Sequence, residues 1–508
     1  MSNRASALYD NSASRPDKIA LIFEGQHISF GELARQVSKT AGALRSLGVG
    51  SGMRVGILLP SSPAFVIVQQ ALYALGAVVT PLNIFYRSNE VLHAIESCDL
   101  QHVVVATEFL DRTPATTIDG STLRSIIVTD IATDNNWQRS LPAAVESSQP
   151  IEELAMVQDE AVVSLLLTSA TTGKSKGVML TAANLAANYD RTPGWLGLTS
   201  ETVILCALPL YNTFGLNQCI NAMMKTGATM VLLPRFDAEK CLEAAARYGC
   251  TFMPAVPTML QKIYDHPAAE TGALASISRI VTGAAPVPAA LLRRVLAASP
   301  AAMVATGYGL TEGTALVTLG EVRLDANGQV ERERTIGRVL DGIRLSIMAE
   351  DGALCPAGTV GEIVIQGPNV MLGYYRANED TAMALKNGWL HTGDLGYLDE
   401  EGYGYIVDRK KDIIIRGGQN IYPADIEEVL YNVAGVAEAA VVGLPDDMLG
   451  EIPVAFVAFR PGANVSEAEL MERCREGLAR YKVPTAIHVR PELPKGPTGK
   501  ILRRELRI

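Results

Sequence analysis

The sequence predicts an α/β protein: a large N-terminal domain of parallel-rich sheets flanked by helices, followed by a small α+β C-terminal domain. Its 508 residues are enough for two to four domains with ample core. Short apolar runs alternate with helix-like segments as far as residue 400, which is typical of parallel strands covered by helices. The pattern changes at a charge run, DRKKD, and we place the domain boundary there, at residues 408–412.

The N-terminal strands and helices are predicted from apolar runs and from the residues that typically begin or end such elements. The run at 54–59 predicts a strand, after which Ser62 is a helix N-cap and Pro63 suits the first helical position. Apolar residues then recur to Leu75, so this segment is expected to be a helix. Further short apolar runs predict strands at 77–82, 102–106, 125–129 and 161–167.

The C-terminal elements are predicted in the same way. Strands are expected at 402–407, 413–415, 439–444 and 453–459. Pro423 begins a helix that continues through Leu430. Ser466 and Glu469 have the spacing of a capping box, which predicts a second helix ending near Tyr481.

Composition excludes several kinds of partner. A net charge of -10 disfavours nucleic acid, whose binding depends on clustered Lys and Arg. The seven cysteines are scattered without a C-x-x-C pair, so we expect neither a disulfide framework nor a zinc site. No apolar run reaches the ~18 residues of a membrane span, and the start lacks the apolar core of a secretory signal. A cytoplasmic location is therefore expected.

Residues 168–178, TSATTGKSKGV, directly follow the strand predicted at 161–167. Hydroxyls, backbone N–H groups and lysines can wrap phosphate oxygens. The end of the stretch fits the phosphate loop G-x-x-x-x-G-K-[ST], but Thr168 stands where that loop has its first glycine. A plain polar turn between strands is the alternative, and this stretch alone does not decide between them.

Three more stretches carry groups suited to nucleotide chemistry. In GYGLTE, an aromatic ring between glycines can stack on a base, and Thr311 and Glu312 can meet a phosphate and Mg²⁺. After WLHTGD, Asp394 and Arg409 can bind ribose or a phosphate. The fourth stretch, KGPTGK, ends at Lys500. A glycine-flanked turn, a solvated hairpin and a basic tail are the respective alternatives.

Taken together and in this order, the four stretches resemble the motif series of the adenylate-forming superfamily. It comprises acyl-CoA synthetases, aryl-CoA ligases, carrier-protein-loading adenylation domains and luciferases. The resemblance covers nearly the whole chain and is densest over residues 405–430. It implies ATP, Mg²⁺ and coenzyme A as cofactors and co-substrates, and a mobile C-terminal lid domain at 413–508. The N-terminal domain would then be 1–408, with a hinge at 409–412.

The resemblance also implies roles for individual residues. The pyrophosphate of ATP would be held by Thr168, Ser169, Thr171, Thr172, Gly173 and Lys176. The adenine would lie against Gly283, Ala284, Ala285 and the ring of Tyr308, and the ribose would be bound by Asp394 and Arg409. The expected catalytic residues are Lys500, Thr311, Glu312 and Lys176, with Glu312 holding Mg²⁺. Lys411 would be the hinge residue, and Gly417 and Gly418 would line the coenzyme A tunnel.

The acyl pocket is expected at three stretches, 211–216, 281–285 and 307–311. Its proposed lining is Tyr211, Asn212, Phe214, Gly283, Gly307 and Gly309. The small residues indicate room for a bulky apolar acid, and no Asp is present to pair with an amino group. No Arg is present in these stretches for a second carboxylate either, although Arg279 lies nearby in the sequence. An apolar aliphatic, cyclic or aryl carboxylic acid is the predicted substrate.

Four residues depart from the family pattern. Ala170 replaces a usual glycine, Ser175 a proline, Asn212 a histidine, and Asp408 a frequent glycine. None removes a charged group that the chemistry needs, so they bear on nucleotide affinity and acyl preference. The predicted function is an ATP-dependent acyl-CoA synthetase that forms an acyl-AMP and then an acyl-CoA. Two alternatives stay open: a stand-alone ligase that loads an acyl carrier protein, and a nucleotide-binding homologue without catalysis.

Overall fold

The computed structural model describes residues 3–114, 122–131, 134, 137–168, 175–446, 448–460, 462–463, 465–496 and 501–506. Within these ranges the buried apolar side chains form one large cluster and two smaller ones. The large cluster extends along the sequence as far as Ile406, and the residues of the two smaller clusters all lie at or after Ile414. The predicted boundary at 408–412 lies between the large cluster and the small ones, and the division into domains stays a prediction.

The largest sheet supplies one side of the site. Its strands, in spatial order, are Arg344–Met348, Gly361–Gln366, Trp389–Leu398, Tyr403–Arg409, Thr335–Val339, Ala315–Glu321, Met303–Leu310, Arg279–Gly283, Phe252–Ala255, Val203–Cys206, Thr229–Leu232, Ile19–Phe23 and Gln26–Ser29, with Leu385–Lys386 beside Trp389–Leu398. The six strands from Met303–Leu310 to Ile19–Phe23 run parallel. Ligands bind beyond the carboxyl ends of such strands.

A second sheet carries the strand that precedes the phosphate-loop stretch. In spatial order its strands are Gly373–Tyr374, Gly177–Thr181, Val162–Leu167, Val78–Pro81, Arg54–Leu58, His102–Val105, Ser125–Val128 and Gln138–Ser140. The strands from Val162–Leu167 onward are parallel, whereas the first two pair antiparallel. The third sheet belongs to the C-terminal part and contains Gln419–Ile421, Ile414–Arg416, Gly450–Phe459, Val436–Asp446 and Ala486–Arg490.

Helices cover these sheets. The α-helices are Ser6–Ser14, Phe30–Ser46, Pro63–Ala74, Ser88–Ser97, Leu141–Ser147, Ala182–Asn188, Thr192–Trp195, Thr213–Gly215, Ala222–Thr226, Ala238–Tyr248, Pro257–Asp265, Ala289–Ala298, Asn378–Ala384, Pro423–Tyr431 and Glu467–Gly477. A π-helical segment, Leu216–Asn221, and 3₁₀ turns at Thr107–Arg112, Pro267–Thr271, Thr311–Gly313 and Arg503–Glu505 complete the set. In the part of the chain that the structure describes, no helix has the length and apolar character needed to cross a bilayer.

The predicted fold class is confirmed, and most predicted elements are found with boundaries shifted by a few residues. Ser62 caps its helix by accepting the Phe65 N–H at 3.4 Å. One alternative is excluded and one prediction is wrong. The GYGLTE stretch is a strand as far as Leu310 rather than a glycine-flanked turn. The last α-helix ends at Gly477, not near Tyr481, because the chain becomes extended at Leu478.

Candidate active site

Tyr308 lies where two sequence motifs meet. It is carried by the strand Met303–Leu310, is 7% exposed, and donates its hydroxyl to Oδ2 of Asp394 at 2.6 Å. Burial raises the pKa of Tyr308 well above its ordinary value, and the negative charge of Asp394 raises it further. The hydroxyl therefore stays protonated and acts as a donor. The sequence singled out this ring for stacking but gave no sign of its contact with Asp394.

The two residues predicted to bind ribose face each other in the fold. Asp394 and Arg409 are register partners on the antiparallel strands Trp389–Leu398 and Tyr403–Arg409. Nε of Arg409 lies 3.0 Å from Oδ1 of Asp394, and Asp394 is 4% exposed. The carboxylate is thus held by a cation on one oxygen and a hydroxyl on the other, which fixes its orientation.

The predicted metal ligand lies on a single 3₁₀ turn, Thr311–Gly313. The Oε1 atom of Glu312 accepts a 2.9 Å hydrogen bond from the hydroxyl of Tyr374, and the Glu312 carbonyl accepts the Met371 N–H at 2.8 Å. The next residue beyond the turn, Thr314, has φ 61°, which a branched side chain rarely adopts. Strain of about 1–3 kcal/mol is typical of such a residue. The strained residue directly follows the turn that carries the predicted catalytic residues.

The phosphate-loop stretch is described only at its two ends. The N–H of Thr168 donates to the carbonyl of Lys176 at 3.0 Å, and the N–H of Lys176 donates to the Thr168 hydroxyl at 3.2 Å. The ends of the loop are thereby tied together above the strands Val162–Leu167 and Gly177–Thr181. The predicted residues between them lie outside the described part of the chain: Ser169, Thr171, Thr172 and Gly173, with the departure Ala170.

The ammonium group of Lys176 has two neighbours that the sequence did not indicate. It pairs with Asp380 on the helix Asn378–Ala384 and lies 5.3 Å from the centroid of the Tyr374 ring. The carbonyl oxygen of Ser175, at the same end of the loop, lies 3.0 Å from Nε2 of His93. Lys176 is therefore held over an aromatic face beside an acidic partner.

Sequence reasoning missed the segment 368–375, which joins the phosphate-loop strand to the GYGLTE strand. Gly373 and Tyr374 pair with Met179 and Val178, and Met371 bonds to Glu312. Asn369, fully buried, donates to the Gly313 carbonyl at 3.0 Å and accepts the Thr314 hydroxyl through its own carbonyl. A partial signal existed: in GYY, Tyr374 follows a glycine as Tyr308 does, although no glycine follows it.

The three glycines of the predicted acyl pocket are small for a reason other than room for substrate. A Cβ on Gly309 would lie 1.5 Å from the Ala315 carbonyl oxygen, and one on Gly283 would lie 2.3 Å from the Gly307 carbonyl oxygen. A Cβ on Gly307 would lie 2.8 Å from a Leu316 methyl group. Close approach of backbone therefore excludes a side chain at Gly309 and Gly283, whereas at Gly307 the Leu316 side chain would have to shift, so the smallness of these residues does not measure the substrate.

The rest of the predicted acyl lining lies around a helix start. Tyr211 is buried, Asn212 and Phe214 are half-buried, and the helix begins at Thr213. Burial raises the pKa of Tyr211 and keeps its hydroxyl neutral. Arg279 is at the amino end of the strand Arg279–Gly283, whereas the pocket stretches are at the carboxyl ends, so it is not the nearby partner that the sequence suggested.

The adenine-side loop begins with a strained residue. Ala284 follows the strand Arg279–Gly283 with φ 66° and is exposed, while Ala285 is half-buried. The turn therefore presents backbone rather than a large side chain towards solvent at the carboxyl end of the central parallel strands.

The predicted hinge and tunnel residues are on one continuous stretch. Desolvation lowers the pKa of Lys411, although the residue as a whole is exposed. Gly417 and Gly418 form the two-residue turn between the strands Ile414–Arg416 and Gln419–Ile421, with φ 56° and 79°. Such a turn requires positive φ at both positions, which glycine adopts without strain. Lys500 lies outside the described residues.

Asp408 links the two sides of the predicted hinge. It is 5% exposed, and its oxygens accept the Arg409 N–H at 2.7 Å and the Ala424 N–H at 3.2 Å. Ala424 is in the first turn of the helix Pro423–Tyr431, so Asp408 caps a helix of the C-terminal part. Arg503 lies 3.8 Å from Asp408 and donates two hydrogen bonds to Glu427 on that helix.

A tyrosine-bound carboxylate, a strained acidic turn and a tied phosphate-loop stretch at the edges of parallel sheets define a nucleotide-binding enzyme of the adenylate-forming type. The chain belongs to the family of AMP-binding enzymes. Residues 8–375 match the AMP-binding enzyme family, and residues 425–500 match the AMP-binding enzyme C-terminal domain.

Relatives with assigned activities are CoA ligases. The chain is 36% identical, over 97% of its length and 96% of the relative, to a Mycobacterium tuberculosis CoA ligase for a propanoyl chain on a methyl-dioxo-octahydroindene ring system. It is 35% identical, with 97% and 96% coverage, to a 2-succinylbenzoate–CoA ligase of Bacillus cereus. It is 34% identical, again with 97% and 96% coverage, to a feruloyl-CoA synthase of an Amycolatopsis species.

Solved structures agree. ATP-bound MatB from Rhodopseudomonas palustris superposes with a TM-score of 0.88 at 30% identity, covering 99% of this chain and 97% of that one. The o-succinylbenzoate CoA synthetase of Bacillus subtilis, in complex with an acyl-adenylate, gives a TM-score of 0.84 at 31% identity, covering 99% and 98%. The predicted superfamily, its CoA-ligase branch and the predicted acid–thiol ligase activity are confirmed.

Proposed function

We propose that this enzyme activates, in two steps, a cyclic or aryl carboxylic acid that carries no charge besides the reacting carboxylate. The acid's carboxylate oxygen attacks the α-phosphorus of ATP, the bond to pyrophosphate breaks, and an acyl-AMP forms. The thiolate of coenzyme A then attacks the acyl carbonyl carbon, AMP leaves, and an acyl-CoA is released. The observation that carries this proposal is the cluster in which Tyr308, Asp394 and Arg409 meet from two sequence motifs.

The substrate class follows from the charge of the acyl stretches. Residues 211–216, 281–285 and 307–311 contain no charged side chain, and Arg279 is at the far end of its strand. A second carboxylate or an ammonium group on the substrate would be left without a partner there, and burying an unpaired charge is costly. The ring-bearing acids named for the Mycobacterium and Amycolatopsis relatives support the same class.

Magnesium would be held at Glu312. Among the described residues, no three His, Cys, Asp or Glu side chains gather as a metal site. Bound with ATP, Mg²⁺ takes one or two carboxylates and completes its shell with phosphate oxygens and water. One oriented carboxylate therefore fits, and a Bacillus subtilis synthetase with ATP and a magnesium ion is among the similar structures. When bound, Mg²⁺ would neutralise phosphate charge.

The remaining groups have roles that the resemblance assigns. Lys176 and Thr168 would hold the pyrophosphate, and Thr311 would contact the α-phosphate. Asp394, oriented by Tyr308, would bind the ribose hydroxyls. Lys500 would offset the charge that builds on the α-phosphoryl oxygens, an effect of about 10²–10³ in kcat for one such group. A turn about Lys411 would then replace Lys500 by the Gly418 face for the thiol step.

The test is ATP–pyrophosphate exchange with a panel of acids, followed by mass spectrometry of the product with coenzyme A. The panel includes ferulate, a bicyclic ring-bearing propanoate, 2-succinylbenzoate, a long-chain fatty acid and an amino acid. We expect exchange with ring-bearing acids that carry no charge besides the reacting carboxylate. With coenzyme A present, we expect an acyl-CoA product from the same acids. Exchange with none of the acids would contradict adenylation. Transfer only to a phosphopantetheinylated carrier protein would favour the carrier-loading alternative instead.

A further inference from the structure

Tyr374 contacts both of the groups predicted to act on the phosphates. Its hydroxyl donates to Oε1 of Glu312 at 2.9 Å, and the ammonium group of Lys176 lies 5.3 Å from the centre of its ring. Glu312 and Lys176 come from separate motifs on different sheets. A single half-buried side chain therefore spans the distance between the predicted metal ligand and the predicted phosphate lysine.

The backbone of Tyr374 is fixed independently of these two contacts. Tyr374 pairs with Val178 on the strand that follows Lys176, and the Tyr374 N–H donates to the Thr381 hydroxyl at 2.9 Å. A Cβ on the preceding Gly373, which has φ 145°, would lie 2.7 Å from a Thr381 methyl group. The tyrosine thus has a rigid base on the Lys176 side, and its hydroxyl reaches to Glu312.

Glu312, by contrast, has little support of its own. It is on one 3₁₀ turn, which precedes residues with φ 61° at Thr314 and 105° at Ala315. A short turn with strained neighbours does not by itself fix the rotamer of a carboxylate. The hydrogen bond from Tyr374 does, and it engages Oε1.

We propose that Tyr374 is a positioning residue that orients the Glu312 carboxylate towards the metal ion of Mg·ATP and holds Lys176 facing the phosphates. The inference rests on the proposed function, because it presupposes that Glu312 binds Mg²⁺. Magnesium demands near-ideal octahedral geometry, so the orientation of its carboxylate ligand matters. Loss of a hydrogen bond to a metal ligand typically costs about 10–100-fold in metal affinity.

The ring of Tyr374 offers its electron-rich face to Lys176, whose ammonium nitrogen lies 5.3 Å from the ring centroid, an arrangement that attracts a cation.

The test compares three variants by calorimetric titration of Mg²⁺ into enzyme saturated with α,β-methylene-ATP, with no acid present. Tyr374→Phe removes the hydroxyl and keeps the ring, and we expect its Mg²⁺ affinity to fall about 10-fold or more. Tyr374→Leu also removes the ring, so nucleotide affinity should fall even at saturating Mg²⁺. Tyr375→Phe is the matched control, because the Tyr375 hydroxyl donates to Asp99 at 3.3 Å and not to the site.

The outcomes separate this inference from the proposed function. Wild-type Mg²⁺ affinity in Tyr374→Phe, with an unchanged melting temperature, overturns the positioning role. An equal loss in Tyr375→Phe overturns it too, because the effect would then be a general disturbance of the segment. A parent enzyme that binds the analogue without any Mg²⁺ dependence refutes the inference as well. Failure of the acid panel is a different result, since the titration contains no acid.

Discussion

The hydroxyl of Tyr308 and Oδ2 of Asp394 lie 2.6 Å apart, joining two motifs that are far apart in the sequence. The other carboxylate oxygen lies 3.0 Å from Nε of Arg409. Because Asp394 is almost fully buried, its charge is stabilised by these two groups rather than by water. The carboxylate that we propose for ribose binding is therefore oriented before ATP arrives.

Removing the Tyr308 hydroxyl should weaken ATP binding. A hydrogen bond to a charged group contributes about 1.5–3 kcal/mol, so Tyr308→Phe is expected to raise the KM for ATP by about 10-fold or more, with little change in the KM for the acid. ATP–pyrophosphate exchange measures both constants. Tyr397→Phe is the control, since Tyr397 is on the strand that carries Asp394 and its ring stacks on that of Tyr405. An unchanged KM for ATP in Tyr308→Phe would separate this contact from nucleotide binding.

Gly309→Ala should destabilise the fold rather than narrow the choice of acid. The added Cβ would lie 1.5 Å from the Ala315 carbonyl oxygen, where backbone cannot move aside cheaply. Overpacking of this kind costs typically about 1–3 kcal/mol and sometimes more. Gly50→Ala is the comparison, because a Cβ there meets nothing within 4 Å. Calorimetric melting decides: a Gly309→Ala enzyme as stable as Gly50→Ala but active only on smaller acids would restore the pocket-size interpretation.

Local signals were enough to predict some of the strands and helices, with small errors at their ends. The strand Arg54–Leu58 and the helix Pro63–Ala74 follow from an apolar run, a serine cap and a proline, all within neighbouring residues. The last helix was predicted too long because apolar positions continue past Gly477. Leu478 and Tyr481 instead pack on the C-terminal core from beyond the helix, Leu478 in extended backbone and Tyr481 in a turn. Glycine ends the helix because it stabilises helical backbone poorly.

The site was only partly predictable. Residue types and order gave Asp394 and Arg409, and strand register brings them together. The contacts of Tyr374 required the pairing of its strand with residues far away in the sequence, which no local pattern encodes. The glycines were noticed for the wrong physical reason, because a sequence shows that a residue is small but not which backbone approaches it.

Asp408→Asn should change how stability depends on pH. Burial raises the pKa of Asp408 from 3.8 to about 6, and the charge of Arg503 only partly offsets it. A carboxyl group with a raised pKa in the folded state stabilises the fold at low pH, and that contribution is lost as pH rises from about 4 to 6, up to about 3 kcal/mol. The variant lacks this titration, so its melting temperature should fall less than the parent's between pH 5 and pH 7.

Asp412→Asn provides the comparison for that measurement. Asp412 contacts the same guanidinium group, with Arg503 donating to it at 3.1 Å, but is partly exposed. This variant removes the other carboxylate beside Arg503, so the fall in its melting temperature at pH 7 measures the loss of one charged partner. Melting curves for Asp408→Asn that run parallel to the parent's across the whole range would show that Asp408 does not titrate as described.

Lys411→Pro tests the proposed hinge. Proline fixes φ near -65° and removes a backbone donor, so the variant should perform each half-reaction but pass slowly from one to the other. Stopped-flow measurement of acyl-AMP decay after coenzyme A is added reports that step. Lys411→Ala is the matched control, because it removes the same side chain without fixing φ or removing the backbone donor. Unaltered decay in Lys411→Pro would locate the hinge elsewhere.

Lys500→Ala should slow the first step of the reaction and leave the second step nearly unchanged. If Lys500 stabilises charge on the α-phosphoryl oxygens, its loss is expected to lower the rate of acyl-AMP formation by about 10²-fold or more. Thioester formation from a supplied acyl-AMP involves no such charge and should remain close to the parent's rate. Single-turnover assays of the two steps give both rates, with Lys495→Ala as the control. Lys495 is on the same tail but pairs with Glu438 and Glu492. Equal losses in both steps of Lys500→Ala would refute the role proposed for it.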